Sequence, residues 1–561
     1  MNIISIKRIF IYLFIPLFSI AFSCDKVDVP ELEKTKDEII DSLTNHIDSL
    51  TQAQEEKDRI NQSIPQSILI LSKDVKIKNG YIAEIEFRVN PSTAEVDLSA
   101  FRLDDISAHT KGVNYVTNPV NIKKVSVQKS KNAYGSEYRG QYTMTIKDLV
   151  KNKDFTETLM IVYDTFDAEG NRTEVCSDQF TVTSEEVSSL PKVYITTPGQ
   201  ASIKSKTEWM ENAHITITGN DGSELLDAGT SIRGRGNSTW GQPKKPYALK
   251  LDSKAEVLGM PKHKRWVLLA NWMDRTLLRN DVSFEMGRRI MSYAPRGEFV
   301  ELYLNGKYQG NYYLCEQIKP DKNRVNLDEE NGGYILEFDT YGPSDEINYF
   351  YTPVRNYPVT IKEPDEEVIT SWEHPVYTYI YDYVGSIENL LHEDSDRTRW
   401  AEVEELLDIT SYIDWWLIHE ITLNFEPKHP KSSYMHKMPE GKLFAGPVWD
   451  FDWETFTTSS TSVEITGSIW YRYLFKYPEF KEAVKHRWSE VKGSLETIPE
   501  YITEMAQYLE DSNEVNYYQW PITDNMNING DIHMGYQESI DRMVSVYKNR
   551  MKIVDTYISN L

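Results

Sequence analysis

Gly446-Pro447-Val448-Trp449-Asp450-Phe451-Asp452-Trp453 sets two carboxylates one residue apart among three large aromatics. Side chains such as Trp449, Phe451 and Trp453 belong in a core, where unpaired charge is heavily penalised, so something must compensate Asp450 and Asp452. The octapeptide by itself leaves two readings open. One is a hard divalent cation, since Mg²⁺ takes one or two carboxylates together with phosphate oxygens. The other is a pair of acids at a strand end facing Arg or Lys.

The surrounding chain of 561 residues is too long for one core and implies two or three domains. A hydrophobic content of 40% with 35 Tyr and 13 Trp argues against extensive disorder. A net charge of −25 disfavours nucleic acid as a partner, because phosphate binding relies on clustered Lys and Arg. An anionic substrate therefore needs a local basic patch.

At the N-terminus, Lys7 and Arg8 precede an apolar run from Ile9 to Ile20 that is too short to span a bilayer. Residues 1–24 read as an export signal, and Ala21-Phe22-Ser23-Cys24 resembles the lipobox of bacterial lipoproteins, with Phe22 departing from the commonest pattern. That resemblance implies lipidation at Cys24 and a protein exported to the cell envelope, on the periplasmic side or at the surface. A plain secretory signal with an incidental Cys is the alternative. The two remaining cysteines, Cys176 and Cys315, fall in different regions, so a disulfide framework is not expected and both are expected as buried thiols. No paired Cys or His stands at zinc-ligand spacing.

Residues 25–65 are charged and poor in Pro and Gly, with Leu32, Ile39, Leu43, Ile47 and Leu50 at helical spacing along a thin seam. A solvated helical stalk is expected there. Over residues 66–184 the pattern changes to period two: Tyr81, Ala83, Ile85, Phe87 and Val89 alternate with polar neighbours, and turns such as Asn79-Gly80 separate the runs. This predicts an all-β, immunoglobulin-like sandwich serving as spacer or docking module. A linker from Ser184 to Lys192 leads to a mixed α+β region over residues 190–561. Its residues 467–561 read as helical, with Ile540, Met543, Val544, Tyr547, Met551, Val554 and Ile558 on one face.

A second motif lies far upstream, in Arg233-Gly234-Arg235-Gly236-Asn237-Ser238-Thr239-Trp240 and the following Lys244, Lys245 and Lys250. Alternating Gly and Arg lets a backbone approach an anion while guanidinium forks reach its oxygens, which outlines a phosphate cradle; a solvated hairpin on an acidic protein is the alternative reading of the same turn. Further along come Lys262 to Asn280, the hairpin Val300 to Tyr312 with its Asn305-Gly306 turn, Glu316-Gln317-Ile318, and Gly332 to Asp339. Taken in this order with Asp450-Phe451-Asp452, the segments resemble the CotH family, the spore-coat protein H type of atypical protein kinase. The resemblance covers residues 195–460.

It implies a divergent kinase-like fold that uses ATP and Mg²⁺ to phosphorylate Ser or Thr of exported or surface proteins. Asp450 falls at the family's metal-binding acid, with Asp452 as an auxiliary. Arg233, Arg235 and Lys250 are the candidates for triphosphate contacts, and Glu316 for orienting such a lysine. Many family members have Asn-x-Asp where this chain reads Asn424-Phe425-Glu426, so Glu426 becomes the candidate proton acceptor, its carboxylate about one methylene farther out. A displacement near 1 Å can cost roughly a hundredfold in rate, which keeps a slow or inactive kinase open. Glu426 pairing with Lys428 or Lys431 is the structural alternative. At the level of function, the alternative is a catalytically weak or inactive surface lipoprotein that binds protein or glycan, its Asp pair a structural metal site.

Overall fold

The structure, a computed structural model, describes residues 29–561, apart from 73, 79–80, 83, 106–121, 132–134, 150–155, 167–170, 186–187, 329–330, 346–347, 366–367 and 370. Residues 1–24, read from sequence as an export signal, and Cys24 with them lie outside the described residues. Val29–Ser63 forms a helix of 35 residues, roughly 50 Å long at the usual rise. Ile39, Ile40, Leu43 and Leu50 on it are exposed. No helix among the described residues is long and apolar enough to cross a membrane.

Two sheets follow. In the first, β1 (Ser67–Ile70), β4 (Glu84–Asn90), β7 (Glu137–Leu149) and β6 (Ile122–Lys131) lie side by side. The second runs β3 (Tyr81–Ile82), β2 (Asp74–Lys78), β10 (Phe180–Glu185), β8 (Thr156–Phe166), β5 (Phe101–Asp105), with β9 (Arg172–Cys176) on β8. The period-two pattern is realised, because Ile85, Phe87 and Val89 point into a core shared with Leu103, Tyr142, Ile161 and Val182 of both sheets. Cys176 departs from expectation. It ends an edge strand paired only with β8 and is exposed, whereas Cys315 is fully buried and its thiol is pushed well up by that burial.

Seven strands then close a barrel in the order β11 (Lys192–Thr196), β12 (Met210–Thr218), β13 (Glu224–Gly234), β14 (Tyr247–Val257), β15 (Met260–Leu269), β17 (Lys307–Glu316), β16 (Gly297–Leu304). Leu249, Trp266, Leu268, Tyr312 and Leu314 fill its interior. Alternation sends Val267, Leu269, Tyr313 and Cys315 outward into a second, larger core. At the β16–β17 turn, Asn305 and Gly306 both take positive φ, as a tight hairpin demands.

The larger core joins the barrel to a second sheet, β19 (Tyr349–Tyr351), β20 (Pro358–Glu363), β18 (Tyr334–Phe338), β21 (Ser433–Lys437), β22 (Leu443–Ala445), and to helices that run to the C-terminus. Helix Ile409–Thr422 is buried from Tyr412 to Thr422, so Trp415 and Trp416 belong to a helix covered all round. Helix Tyr536–Ser559 buries Ile540, Met543, Tyr547, Met551, Val554 and Ile558, the face the periodicity specified.

The segment read as a linker is anchored. Leu190 is fully buried in the larger core, and the Pro191 carbonyl accepts the Glu301 amide at 2.9 Å. Leu190→Ala is expected to destabilise the protein by about 2–4 kcal/mol. Denaturant unfolding checks this, and a loss below about 0.5 kcal/mol would mean that the segment is not docked.

Candidate active site

A cleft of about 420 Å³ opens between the outer face of the barrel and the sheet β18–β22. Its barrel side carries Arg233, Ala248, Val267 and Leu269. Its sheet side carries Glu337, Thr360, Lys362 and Tyr434, and the Asp450 to Trp453 segment closes it. Alternation explains the sheet side: Val359 and Ile361 enter the core, leaving Thr360 and Lys362 on the opposite face.

The glycine and arginine turn follows β13. A Cβ on Gly234 would lie 2.4 Å from the Trp240 ring, and Gly236 has φ +80°, so neither position accepts a side chain without strain. Arg233 stacks over Trp209 at 4.6 Å and donates to the Thr207 carbonyl at 2.9 Å. The Arg235 guanidinium lies 5.4 Å above the Trp449 ring, beside Asp450 in the chain. Lys245 donates to the Trp240 carbonyl at 2.6 Å. Lys244 is fully buried between the Asn311 carbonyl and Asn516 Oδ1, and burial pushes its ammonium down to about 7.

The acidic end is built from three asparagines. Helix Ile409–Thr422 ends at Leu423 with φ +54°, after which Asn424 Nδ2 donates to the Asp450 carbonyl at 3.2 Å while its Oδ1 accepts the Glu426 amide at 3.0 Å. Asn280 Oδ1 accepts the Phe451 amide at 2.8 Å, and Asn529 Nδ2 donates to the Asp452 carbonyl at 2.9 Å. Phe451 is fully buried against His419, whose ring lies 5.0 Å away and which burial pushes down to about 3, leaving it neutral. Asp450 takes φ +67°, a left-handed conformation costly for a non-glycine residue and typical of functional sites. Its Oδ2 accepts the Ser432 hydroxyl at 3.2 Å.

Asp450, Asp452, Glu426, Asp339 and Glu337 all line this cleft. Burial and then Asp450 hold the Glu426 carboxyl well above its ordinary range, with Lys431 opposing, and Glu426 Oε2 has no hydrogen-bond partner. Asp452 is raised well up by burial and by Asp450. Burial and Glu337 push Asp339 up to about 7. Such crowding of acids in a partly dry site suits a hard cation bound through one or two carboxylates, its remaining positions filled by phosphate and water. Among the described residues no three acidic, His or Cys side chains are grouped as a ready-made metal cage.

Of the residues singled out from sequence, Arg233, Arg235, Glu426, Asp450 and Asp452 line the cleft. Lys250 and Glu316 are not brought together. Leu249 faces the barrel interior and Lys250 the outside, whereas Glu316 sits buried at the barrel end, held by Arg296 at 2.7 Å and Arg324 at 3.5 Å. Lys428 pairs with Glu464 instead of Glu426. Arg279 is a structural residue, fully buried between Asp274 and Asp531. Sequence reasoning assigned no role to Glu337, Asp339, Thr360, Lys362 or Tyr434. The i, i+2 spacing of Glu337 and Asp339 at the end of a strand was the available signal.

A mixed α and β body with a polar, acid-lined cleft between a barrel and a second sheet is the class these features define. The chain belongs to the family described as CotH kinase protein, which matches residues 232–554, more than half of its length. No curated protein matches. Among solved structures, domains 4–9 of the surface layer protein SbsC are similar at 14% identity over 45% of this chain and 31% of that one, with a TM-score of 0.12. The cadherin-like domains 1 to 4 of zebrafish RET match at 10% identity over 34% of this chain and 48% of theirs, with a TM-score of 0.15. Mouse protocadherin-24 EC1-3 matches at 8%, covering 37% of this chain and 64% of that one, with a TM-score of 0.12. The chain spans less than two thirds of each of these structures, and TM-scores this low carry no argument.

The crowding has a measurable sign. Carboxyls raised in the folded state hold protons that the unfolded chain releases, so their contribution to stability declines as pH rises from about 4 toward 7. Asp450→Asn removes one source of repulsion. The metal-free variant is expected to melt about 2–4 °C higher than wild type at pH 8, corresponding to on the order of 1 kcal/mol, with the difference vanishing near pH 5. Equal melting curves at pH 8 would show that the acids do not repel one another.

Proposed function

We propose that this protein is a Mg²⁺-dependent, ATP-using kinase that phosphorylates Ser or Thr of exported or surface proteins. The supporting observation is that Arg235, Glu426 and the Asp450/Asp452 pair, from three remote parts of the chain, line one cleft. Family membership supports the same reading.

In this reading the Gly234 to Gly236 turn lets the backbone approach the phosphates, and Arg235, braced on Trp449, forks onto their oxygens. Asp450 and Asp452 would hold Mg²⁺, which when bound neutralises charge on the phosphate oxygens. Glu426 Oε2 takes the proton of the acceptor hydroxyl. The hydroxyl oxygen bonds to the γ-phosphorus, the bond to the β-phosphate oxygen breaks, ADP leaves, and the proton rests on Glu426. Because Glu426 is raised, it must first be deprotonated, and the charge on Lys431 favours that form. The helix Val29–Ser63 would serve as a stalk behind a lipid anchor at Cys24, with the sandwich, in an immunoglobulin-like role, docking partners.

ATP with Mg²⁺ is expected to raise the melting temperature of residues 25–561, with neither alone matching the effect, and Asp450→Asn to abolish it. Glu426→Gln should bind nucleotide normally yet transfer radiolabel about 10²-fold to 10⁴-fold more slowly. The wild-type rate should rise with pH as Glu426 deprotonates. Unchanged transfer in Glu426→Gln would remove Glu426 from the mechanism. Stabilisation by Ca²⁺ with indifference to nucleotide would replace the kinase reading with a structural metal site.

A further inference from the structure

Past Asp452 and Trp453 the chain is pinned, released and pinned again. The Thr455 amide donates to Asn529 Oδ1 at 3.2 Å and the Phe456 amide to the Thr422 carbonyl at 2.7 Å, with the Phe456 ring fully buried. Ile465 is buried in turn, and its amide and that of Glu464 both donate to the Glu420 carboxylate. Between these anchors Thr457-Thr458-Ser459-Ser460-Thr461-Ser462 is an unbroken run of hydroxyl side chains in neither helix nor strand. Thr458, Ser459, Thr461 and Ser462 are exposed.

A polar surface loop needs no such uniformity, and two observations tie the run to the cleft. Its hydroxyls reach the charged groups around the candidate base: Ser460 Oγ and Ser462 Oγ both donate to Glu464 Oε1, at 2.5 and 3.1 Å, and Glu464 pairs with Lys428. Lys428 ends the short turn Glu426–Lys428, which begins at that base. A cation is thus already in place beside the run, and a phosphate added there competes with the Glu464 carboxylate for it. The second observation is charge. Residues 455–463 carry none, between Glu454 and Glu464, so this segment can meet an acid-lined cleft without the repulsion that a chain of net charge −25 otherwise brings.

We propose that residues 457–462 are a phosphate acceptor for the cleft of a second copy of this chain. The proposal rests on the phosphotransfer reading and names one substrate for it. A hydroxyl oxygen of the run bonds to the γ-phosphorus of ATP in the other copy, the bond to the β-phosphate oxygen breaks, ADP leaves, and the proton passes to that copy's Glu426. The anchors favour a second copy over the run's own cleft. Phe456 and Ile465 are held in the core of their own molecule, and turning the run back toward Glu426 pulls at both, whereas an exposed loop is presented outward without rearrangement.

The test mixes untagged wild type with an affinity-tagged Asp450→Asn chain, radiolabelled ATP and Mg²⁺, then maps phosphopeptides of the tagged chain by mass spectrometry. Label should enter the tagged chain only when wild type is present, at a rate that rises with wild-type concentration, and the phosphate should map to residues 457–462. Replacing all six hydroxyl residues by Ala in the tagged chain should abolish that labelling, as should replacing only Thr458, Ser459 and Thr461, which leaves the contacts to Glu464 intact, if the exposed positions are the acceptors. Mapping on the chain with its native run reads the site directly, so the assignment does not depend on either variant folding. Wild type that labels a Ser-rich peptide yet leaves residues 457–462 unmodified would overturn the acceptor assignment and keep the kinase. Modification of the run in wild type alone, with none in the tagged chain, would overturn the role of a second copy. Transfer to neither peptide nor run would remove the kinase reading and this proposal together.

Discussion

Like-charge crowding in a partly desolvated cleft is the constraint around which this protein is organised. Asp450, Asp452, Glu426 and Asp339 line one space, and each of the last three is raised by burial first and by a neighbouring acid second. A fold maximising stability alone would not keep them there. Neutral amides hold the segment: Asn424, Asn280 and Asn529 satisfy successive backbone groups of Asp450, Phe451 and Asp452 without adding charge. Phe451 supplies the anchor by entering the core beside His419, which leaves the flanking carboxylates no choice but the cleft.

The C-terminal helices are part of the same construction. Arg550 of helix Tyr536–Ser559 is buried against Glu420, which stands four residues before Asn424 along the chain. Glu420 in turn accepts the amides of Glu464 and Ile465, beyond the aspartate segment. One ion pair thus braces the polypeptide on both flanks of the site. Such a buried pair is weak evidence of stability, but removing either partner alone leaves an uncompensated buried charge.

The cationic side is sparser than the sequence suggests. Lys244 and Lys245 are spent on structural hydrogen bonds, Lys428 on Glu464, and Arg233 partly on Thr207 and Trp209. Arg235 is the residue of the glycine-rich turn best placed to meet an anion, since it is braced on Trp449 beside the acids. A chain of net charge −25 can attract an anionic ligand only through such local arrangement.

Local pattern was enough to specify the long C-terminal helix, whose apolar face recurs at 3.6 residues, and the alternation of Ile85, Phe87 and Val89, because these depend only on which side of an element meets a core. The Asn305-Gly306 turn and the importance of the Trp-flanked aspartates were legible for the same reason: backbone freedom and charge among aromatics are properties of adjacent residues. The facing of Lys250 and Glu316 was not, since closure of a seven-stranded barrel decides which parity points inward. Nor could the sequence reveal that Asp339 and Gln317 share a cleft with Asp450, or that Leu190 ends a supposed linker inside a core. Those depend on contacts between residues a hundred or more positions apart, and desolvation and charge repulsion act through space, where order along the chain carries no information.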